Sequence, residues 1–291
     1  MITENLYPFL SFVPASVLVG AIKVWRWIQY ADERQAPTVE KCLPAPGDSC
    51  RKKIEELDDK LADLILYVVA VPPALLLWYL VVKHSFHIEF AGQWVPTALI
   101  LSLFFLLLFC RYVVLVTRRD NYRLGFNGER LVGQELNRLM LDGCRVFHDF
   151  PLAKNWNLDH IVVAPSGVYA VETKMRRKGP AASGQKSHEV FYDGQVLQFP
   201  RYRDAAALAQ ARDQSIRLGQ LLGEDLAGVP VRPVLTLPGW YVIAKSGGDI
   251  LVLNPKMLDN AILGCGPAAL SPEQIRKIAR RIEQLCRQEG L

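Results

Sequence analysis

The pattern of hydrophobic positions divides the chain into an apolar N-terminal part and a mixed C-terminal part. Leu64 to Val82 and Val95 to Val116 are near-continuous apolar runs, and each approaches the ~20 residues that cross a bilayer as a helix. Leu6 to Ile28 is an earlier, first run along the chain and is interrupted by prolines, so the two runs above are the second and the third. We therefore predict a membrane region over residues 1–119, with transmembrane helices at about 6–28, 64–82 and 95–116.

Basic residues around the second and third runs predict the orientation, because Lys and Arg are retained on the cytoplasmic side of a membrane. The hairpin between these runs contains Lys83 alone, whereas their other ends carry Arg51, Lys52, Lys53, Lys60, Arg111, Arg118, Arg119 and Arg123. We expect a protein of a lipid bilayer, of the bacterial inner-membrane type. Its C-terminal domain, residues 120–291, is expected in the cytoplasm.

Beyond residue 119, the periodicity of apolar positions predicts an α/β fold, in which a mixed sheet is flanked by helices. Helices are expected at Phe126–Leu141, Asp204–Leu222 and Pro272–Arg287, the last capped by Ser271. The predicted strands are Cys144–Phe150, Asn157–Ala164, Gly167–Lys174, Glu189–Tyr192, Gln195–Phe199, Val231–Leu237, Trp240–Ala244 and Ile250–Leu253. Asp193-Gly194 is expected to form a tight hairpin turn.

Composition adds two constraints to this outline. The net charge of +5 and the pI of about 8.8 fit a polyanionic partner, although the positive-inside loops account for part of that excess. The six cysteines are scattered without a CxxC pair, which argues against a zinc site or a disulfide framework. Cys42 and Cys50 flank a short loop that the charge pattern places in the reducing cytoplasm, so we expect them to remain free.

Three acidic positions carry the candidate chemistry. Glu172 ends an apolar strand and shares one strand face with Val168, Ala170 and Lys174, because side chains alternate along a strand. Asp159 stands near the start of another strand. Glu129 lies on the apolar stripe of a predicted helix, which it shares with Val132, Leu136, Leu139 and Met140. Taken singly, each has an ordinary structural interpretation. Asp159 is typical of a turn or cap, Glu172 with Lys174 of an ion pair at a sheet end, and Glu129 of a helix N-terminus.

Their order along the chain resembles the nuclease-related domain, NERD, a branch of the PD-(D/E)xK nuclease superfamily with a restriction-endonuclease-like core. The matching motifs are Gly128-Glu129, Asp159-His160, Pro165-Ser166-Gly167, Glu172-Thr173-Lys174 and Gln210-Ala211. The resemblance covers roughly Gly125 to Leu222. An Asn-Pro pair that commonly precedes the glutamine is not evident in Phe199-Pro200-Arg201.

The resemblance implies a role for each matching residue. Asp159 and Glu172 would ligate Mg²⁺ or Mn²⁺, and Glu129 would complete the metal site directly or through water. Lys174 would orient water or stabilise charge on the phosphate, and Gln210 would be an auxiliary residue of the catalytic site. A hard cation held by carboxylates is the usual means of activating water against a phosphodiester.

Other residues near these motifs admit two interpretations. Arg176, Arg177 and Lys178 follow the candidate strand and either bind nucleic-acid phosphates or form a solvated loop. His160 either acts as an acid or base or has a structural role, and the structural role is favoured because alternation points it away from the face of Asp159. Trp240 either stacks on a base or packs in the core, and the core is favoured.

The leading hypothesis is a membrane-anchored, Mg²⁺-dependent nuclease that cuts DNA on the cytoplasmic side, with foreign or mobile DNA at the envelope as a conjectured target. The alternative is a noncatalytic membrane protein that uses the same fold to bind nucleic acid or to join an envelope assembly. A nuclease that works only in a homo-oligomer or with an envelope partner protein is a third hypothesis.

Overall fold

The computed structural model describes residues 20–21, 24–25, 28, 42–86, 94–154, 156–180, 186–226, 228–245, 248–264 and 269–287. The chain divides into two compact units. Met1–Val39 with Ile54–Asp120 forms the first, and Glu40–Lys53 with Asn121–Leu291 forms the second. A short segment that precedes the second apolar run thus belongs to the α/β unit.

The first unit is built from parts of two long helices, α1 (Asp48–Phe86) and α2 (Trp94–Arg138). Leu57 and Leu61 pack against Leu115, and Arg119 forms an ion pair with Asp58 at 3.4 Å. Within the described residues, one helix is long and apolar enough to cross a membrane, by length and composition. It contains the predicted span 95–116.

The other two predicted spans stay predictions. Residues 64–82 lie inside α1, part of whose side chains fall outside the described residues. Residues 6–28 fall almost wholly outside them. The orientation of the chain likewise remains a prediction from its charges.

The helix predicted at Phe126–Leu141 does not begin at Phe126. It is the last part of α2, which ends at Arg138 and is followed by a 3-10 turn, Leu139–Asp142. No proline stands between the third apolar run and Gly125, and a helix tolerates Gly125 and Gly128 at a modest cost. The 3-10 turn moves Met140 off the buried stripe, and Met140 is 45 % exposed, so its predicted burial was wrong.

The second unit contains a five-stranded mixed sheet in the order β1-β2-β3-β7-β9. Its strands are β1 (Arg145–Ala153), β2 (Trp156–Ala164), β3 (Gly167–Thr173), β7 (Val231–Thr236) and β9 (Leu251–Leu253). The first three form an antiparallel meander, and β7 and β9 add in parallel. Gly167 at φ +141° completes the predicted turn between β2 and β3.

Helices cover both faces of this sheet. Val168 and Ala170 face a core built with α3 (Ala206–Leu222) and α5 (Pro272–Arg287). Tyr169 and Val171 face the opposite core, which includes α2 and the short helix α4 (Leu258–Leu263). Successive side chains of one strand therefore enter different cores, as strand alternation requires. The predicted mixed α/β fold is confirmed.

The remaining strands form a second, four-stranded sheet in the order β6-β5-β4-β8. Its strands are β4 (Glu189–Tyr192), β5 (Leu197–Gln198), β6 (Arg203–Asp204) and β8 (Tyr241–Ala244). The predicted hairpin between β4 and β5 is present, but its loop is longer than expected. The Asp193 carboxylate accepts hydrogen bonds from the backbone N–H groups of Gln195 and Val196, so β5 begins at Leu197 rather than at Gln195.

The segment Glu40–Lys53 is bound to β1 through Asp149. This residue adopts φ +49°, and its carboxylate accepts hydrogen bonds from Ser49 N at 2.6 Å and from Asn157 Nδ2 at 2.9 Å. Ser49 lies in the first turn of α1, where backbone N–H groups lack helical partners and favour a negative charge. Asp149 therefore caps α1, and the left-handed backbone directs its side chain to do so.

A histidine pair is buried beside this segment. The Nδ1 atoms of His148 and His160 are 2.9 Å apart, and His148 Nε2 lies 2.9 Å from Asn137 Oδ1. Burial lowers the pKa of His148 to about 4, and burial, followed by the charge of His148, holds the pKa of His160 well below its ordinary value. Both rings are thus neutral near pH 7, and His160 packs against His148 as the structural interpretation predicted.

Gly128 allows α2 to approach the end of β3. A Cβ added at Gly128 would lie 2.9 Å from Met175 Cβ, whereas one at Gly219 on α3 would lie 3.8 Å from Val231 Cγ2. The first distance is a clash, and the second is an ordinary contact. The absence of a side chain at Gly128 therefore brings the adjacent Glu129 next to the strand that carries Glu172.

We predict that Gly128→Ala destabilises the protein by about 1–2 kcal/mol, because overpacking outweighs the gain in helix propensity. Gly219→Ala is the matched control, and we expect it to stabilise the protein by about 0.5–1 kcal/mol. Thermal unfolding of the full-length variants in detergent, followed by circular dichroism, measures both effects. Equal unfolding midpoints for the two variants would contradict the close approach at Gly128.

Candidate active site

Glu172 is the carboxylate with the most partners in the candidate site. It stands one residue before the end of β3, on the face that packs against α3. Gln210 Nε2 donates to Oε1 at 2.8 Å, and Gln214 Nε2 donates to Oε2 at 2.7 Å. Lys174 Nζ also donates to Oε1. Two helix amides and one ammonium group thus hold a buried carboxylate in a single orientation.

Asp159 approaches Glu172 from the neighbouring strand. It immediately precedes His160, which pairs with Val171 across β2 and β3. Its Oδ2 accepts a hydrogen bond from Thr173 N at 2.7 Å. Burial, followed by the charges of Glu172 and Glu129, raises the pKa of Asp159 well above its usual range. An ionised Asp159 is therefore unfavourable here unless a cation is close by.

Glu129 reaches the same region from α2. Its side chain is 8 % exposed, and its Oε1 accepts a hydrogen bond from Cys50 Sγ at 3.2 Å. Its Oε2 is buried without a hydrogen-bond partner in the described structure. Burial, with a contribution from Asp149 and Glu172, raises the pKa of Glu129 to about 7. An unpartnered oxygen on a repelled carboxylate is a feature that a bound cation would satisfy.

The three basic residues after the site strand have different surroundings. Arg176 donates to Asp204 at 2.7 Å. The negative charge of this carboxylate offsets the positive charge that Arg176 would present to a phosphate. Arg177 and Lys178 are exposed. Trp240, whose Nε1 donates to Arg176 O at 3.3 Å, is 2 % exposed, so the core interpretation of this ring is confirmed.

The donor chemistry of the site fits a hard divalent cation. Asp159, Glu172 and Glu129 supply the carboxylate oxygens that Mg²⁺ and Mn²⁺ accept. The described residues nevertheless include no group of three His, Cys, Asp or Glu side chains close enough to form a metal site. Both Glu172 oxygens are instead occupied by N–H donors. The acidic residues are thus electrostatically coupled without forming a complete metal cage.

The structure brings the sequence-predicted residues together to different degrees. Lys174 and Gln210 contact Glu172 directly, whereas Glu129 and Asp159 are coupled to it through charge. Sequence reasoning did not assign Gln214 or Cys50 to the site. Gln214 follows Gln210 by four residues and therefore lies on the same helix face. Cys50 is far away in the chain, and no local pattern connects it with Glu129.

The comparisons with known proteins agree with the motif order. Residues 124–238 match the family described as the nuclease-related domain. The match contains Glu129, Asp159, Glu172, Lys174 and Gln210, and it extends beyond the predicted range to include β7. No curated protein and no solved structure matches the chain.

Glu129 provides a test of the repulsion in the site. The folded protein holds the Glu129 proton up to pH about 7, whereas the carboxyl group ordinarily loses it above pH 4.5. The stability contributed by this protonation is full below pH 4.5 and is lost as the pH rises through about 7. At pH 8, in EDTA, Glu129→Gln is therefore expected to be more stable than the wild type by roughly 1–3 kcal/mol.

Unfolding midpoints of wild type and Glu129→Gln between pH 4.5 and 8.5 measure this difference. Glu135→Gln on the same helix is the control, because Glu135 forms a surface ion pair with Arg138. Its difference from wild type should vary little with pH. A Glu129→Gln difference that is the same at pH 5 and pH 8 would show that the carboxylate is not repelled.

Proposed function

Because residues 124–238 belong to the nuclease-related domain family, we propose that the second unit is a metal-dependent nuclease that hydrolyses DNA phosphodiester bonds. The observation that carries this proposal is the convergence on Glu172 of Lys174 and Gln210, beside the coupled carboxylates Asp159 and Glu129. A carboxylate cluster with one ammonium group is suited to phosphoryl chemistry. Three residues of this cluster come from different elements, α2, β2 and β3.

Mg²⁺ or Mn²⁺ held by Asp159 and Glu172, with Glu129 directly or through water, would neutralise phosphate charge and lower the pKa of bound water. Gln210 and Gln214 hold the Glu172 carboxylate from α3. Oε2 of Glu172 accepts only the Gln214 amide in the described structure and keeps a lone pair, whereas Oε1 accepts from both Gln210 and Lys174. The protein thereby orients Glu172 before a substrate arrives.

Lys174 is the positively charged side chain of the site in the proposed mechanism. Its ammonium group is held by Glu172, and its backbone N–H donates to Thr236 O at 2.9 Å. These two bonds fix the residue at the end of β3. From this position the ammonium would stabilise negative charge that develops on the phosphate, or would orient the attacking water.

In this proposal, the repulsion between Glu129 and Asp159 destabilises the folded protein when no metal ion is bound. Without a cation, both carboxyl groups favour the protonated form. Binding of a divalent cation would release those protons, and metal affinity would rise with pH. The site would therefore be most competent at neutral to alkaline pH.

We further propose that the nuclease domain is tethered to a membrane by the helices of the first unit and lies on the cytoplasmic side. The apolar helix and the distribution of basic residues support this arrangement. A tethered nuclease would meet DNA that enters through the envelope, which is our basis for proposing foreign or mobile DNA as its target.

The proposal is tested with full-length protein in detergent or lipid, by following nicking of supercoiled plasmid DNA with Mg²⁺, Mn²⁺ or EDTA. We expect cutting that requires the metal and falls by ~100-fold or more in Asp159→Asn and in Lys174→Ala, because each change removes charge stabilisation from the transition state. The matched controls are Asp142→Asn and Lys256→Ala, which change exposed residues of the same unit.

Cutting that persists in EDTA, or equally in all four variants, would point to a contaminating nuclease and contradict the proposed site. Absence of cutting by every sample, with DNA binding retained, would favour the noncatalytic binding hypothesis. Activity that appears only on addition of a partner protein or on oligomer formation would support a gated nuclease.

A further inference from the structure

The four-stranded sheet leaves two aromatic rings on its outer face. Val190, Tyr192, Leu197 and Trp240 are buried in the core that this sheet forms with α3. Because side chains alternate, their neighbours Phe191 and Tyr241 point the other way, and they are 39 % and 62 % exposed. Single exposed apolar residues are common on proteins, but adjacent large rings on one face indicate an interaction surface.

The strand register places these rings on one continuous surface. Phe191 pairs with Gln198 on β5 and with Ile243 on β8, and Gln198 pairs with Arg203 on β6. Tyr241 pairs with Glu189, two residues before Phe191. Phe191 and Tyr241 are therefore diagonal neighbours on adjacent parallel strands. We name Phe191, Gln198, Arg203, Tyr241 and Ile243 the aromatic face.

Basic side chains lie at both ends of the aromatic face. Arg203 is exposed on β6, at the end opposite to β8. Lys178 Nζ lies 3.8 Å from the position that a Cβ on Gly239 would take, two residues before Tyr241. Glu189 is the acidic group on this surface, and Lys186 pairs with it at 3.4 Å. The surface thus combines exposed rings with a net positive border.

The aromatic face is also connected to the candidate active site. Asp204, next to Arg203, accepts the hydrogen bond from Arg176, which follows Lys174 by two residues. Helix α3 begins at Ala206, directly after β6, and reaches Gln210 within about 6 Å of helix rise. The β6 end of the aromatic face is thus linked through Asp204 and Arg176 to the strand end that carries Lys174.

We propose that the aromatic face binds single-stranded DNA, with bases stacked on Phe191 and Tyr241 and phosphates near Arg203 and Lys178. This inference rests on the proposed function in that the substrate is DNA. Aromatic rings on an open sheet face stack on any base, and flanking cations follow the backbone. In a duplex, the flat faces of the bases are covered by their stacked neighbours, so an unpaired strand fits this surface better.

The test measures binding of a fluorescein-labelled 20-nucleotide DNA strand to full-length protein in detergent, by anisotropy and in EDTA. The same strand annealed to its complement is the duplex probe. We expect the wild type to bind the single strand more tightly than the duplex. Phe191→Ala combined with Tyr241→Ala should weaken single-strand binding at least about tenfold. Phe191→Tyr combined with Tyr241→Phe keeps both rings and should bind as the wild type does.

Arg203→Ala supplies a second readout of the same surface. A phosphate contact on a single strand contributes about 0.7 to the slope of log affinity against log salt concentration, so this variant should lower the slope by about that amount. Unfolding midpoints of all variants show whether they are folded, and the ring-retaining variant controls for altered strand packing.

Single-strand binding that is unchanged by loss of both rings, or a wild type that prefers the duplex, would overturn the inference. Because EDTA prevents metal-dependent cleavage, the result is independent of the plasmid assay. Ring-dependent binding by a protein that never cuts DNA would support the aromatic face and refute the nuclease. Metal-dependent cutting without ring-dependent binding would support the nuclease and refute the aromatic face.

Discussion

The burial of Glu172 among Lys174, Gln210 and Gln214 is the interaction on which the candidate site depends. A carboxylate at 2 % exposure is costly unless donors surround it, and here one ammonium and two amides do so. These bonds join the end of β3 to one face of α3. Replacing any of these donors would leave a buried oxygen of Glu172 with fewer hydrogen bonds. The position of β3 relative to α3 therefore depends on this one side chain.

The two carboxylates beside Glu172 are held in unfavourable surroundings. Burial, followed by the charges of Glu172 and Glu129, raises the pKa of Asp159, and burial with the charges of Asp149 and Glu172 raises that of Glu129. Among the described residues, neither forms a lysine ion pair like that of Glu172. Such a cluster is unfavourable in the empty protein and favourable around a divalent cation. Cys50 donates to Glu129, and Asp149 caps the helix that carries Cys50. The first turn of α1 thereby takes part in the environment of the acidic cluster.

The local pattern of apolar residues predicted the limits of an element well where apolar side chains alone decide them. β3 is a continuous apolar run and α5 has helical periodicity, and their predicted limits agree with the structure within one residue. The pattern failed where polar side chains or continuing helices decide the boundary. The Asp193 carboxylate lengthened a hairpin, and the absence of a helix breaker merged the predicted helix at Phe126 with the apolar helix before it. The strands were also divided between two sheets, which alternation cannot distinguish from one.

The sequence by itself determined the α/β class, the apolar helix and the order of motifs that indicates a nuclease-related domain, because these depend on neighbouring residues and their spacing. Only the tertiary structure decided the partners. Gln214, Cys50 and Asp149 acquire their roles from contacts between distant parts of the chain. Likewise, the core took Trp240 and left Tyr241 exposed. Strand alternation requires one of the two to face outward, but packing against α3 decides which one.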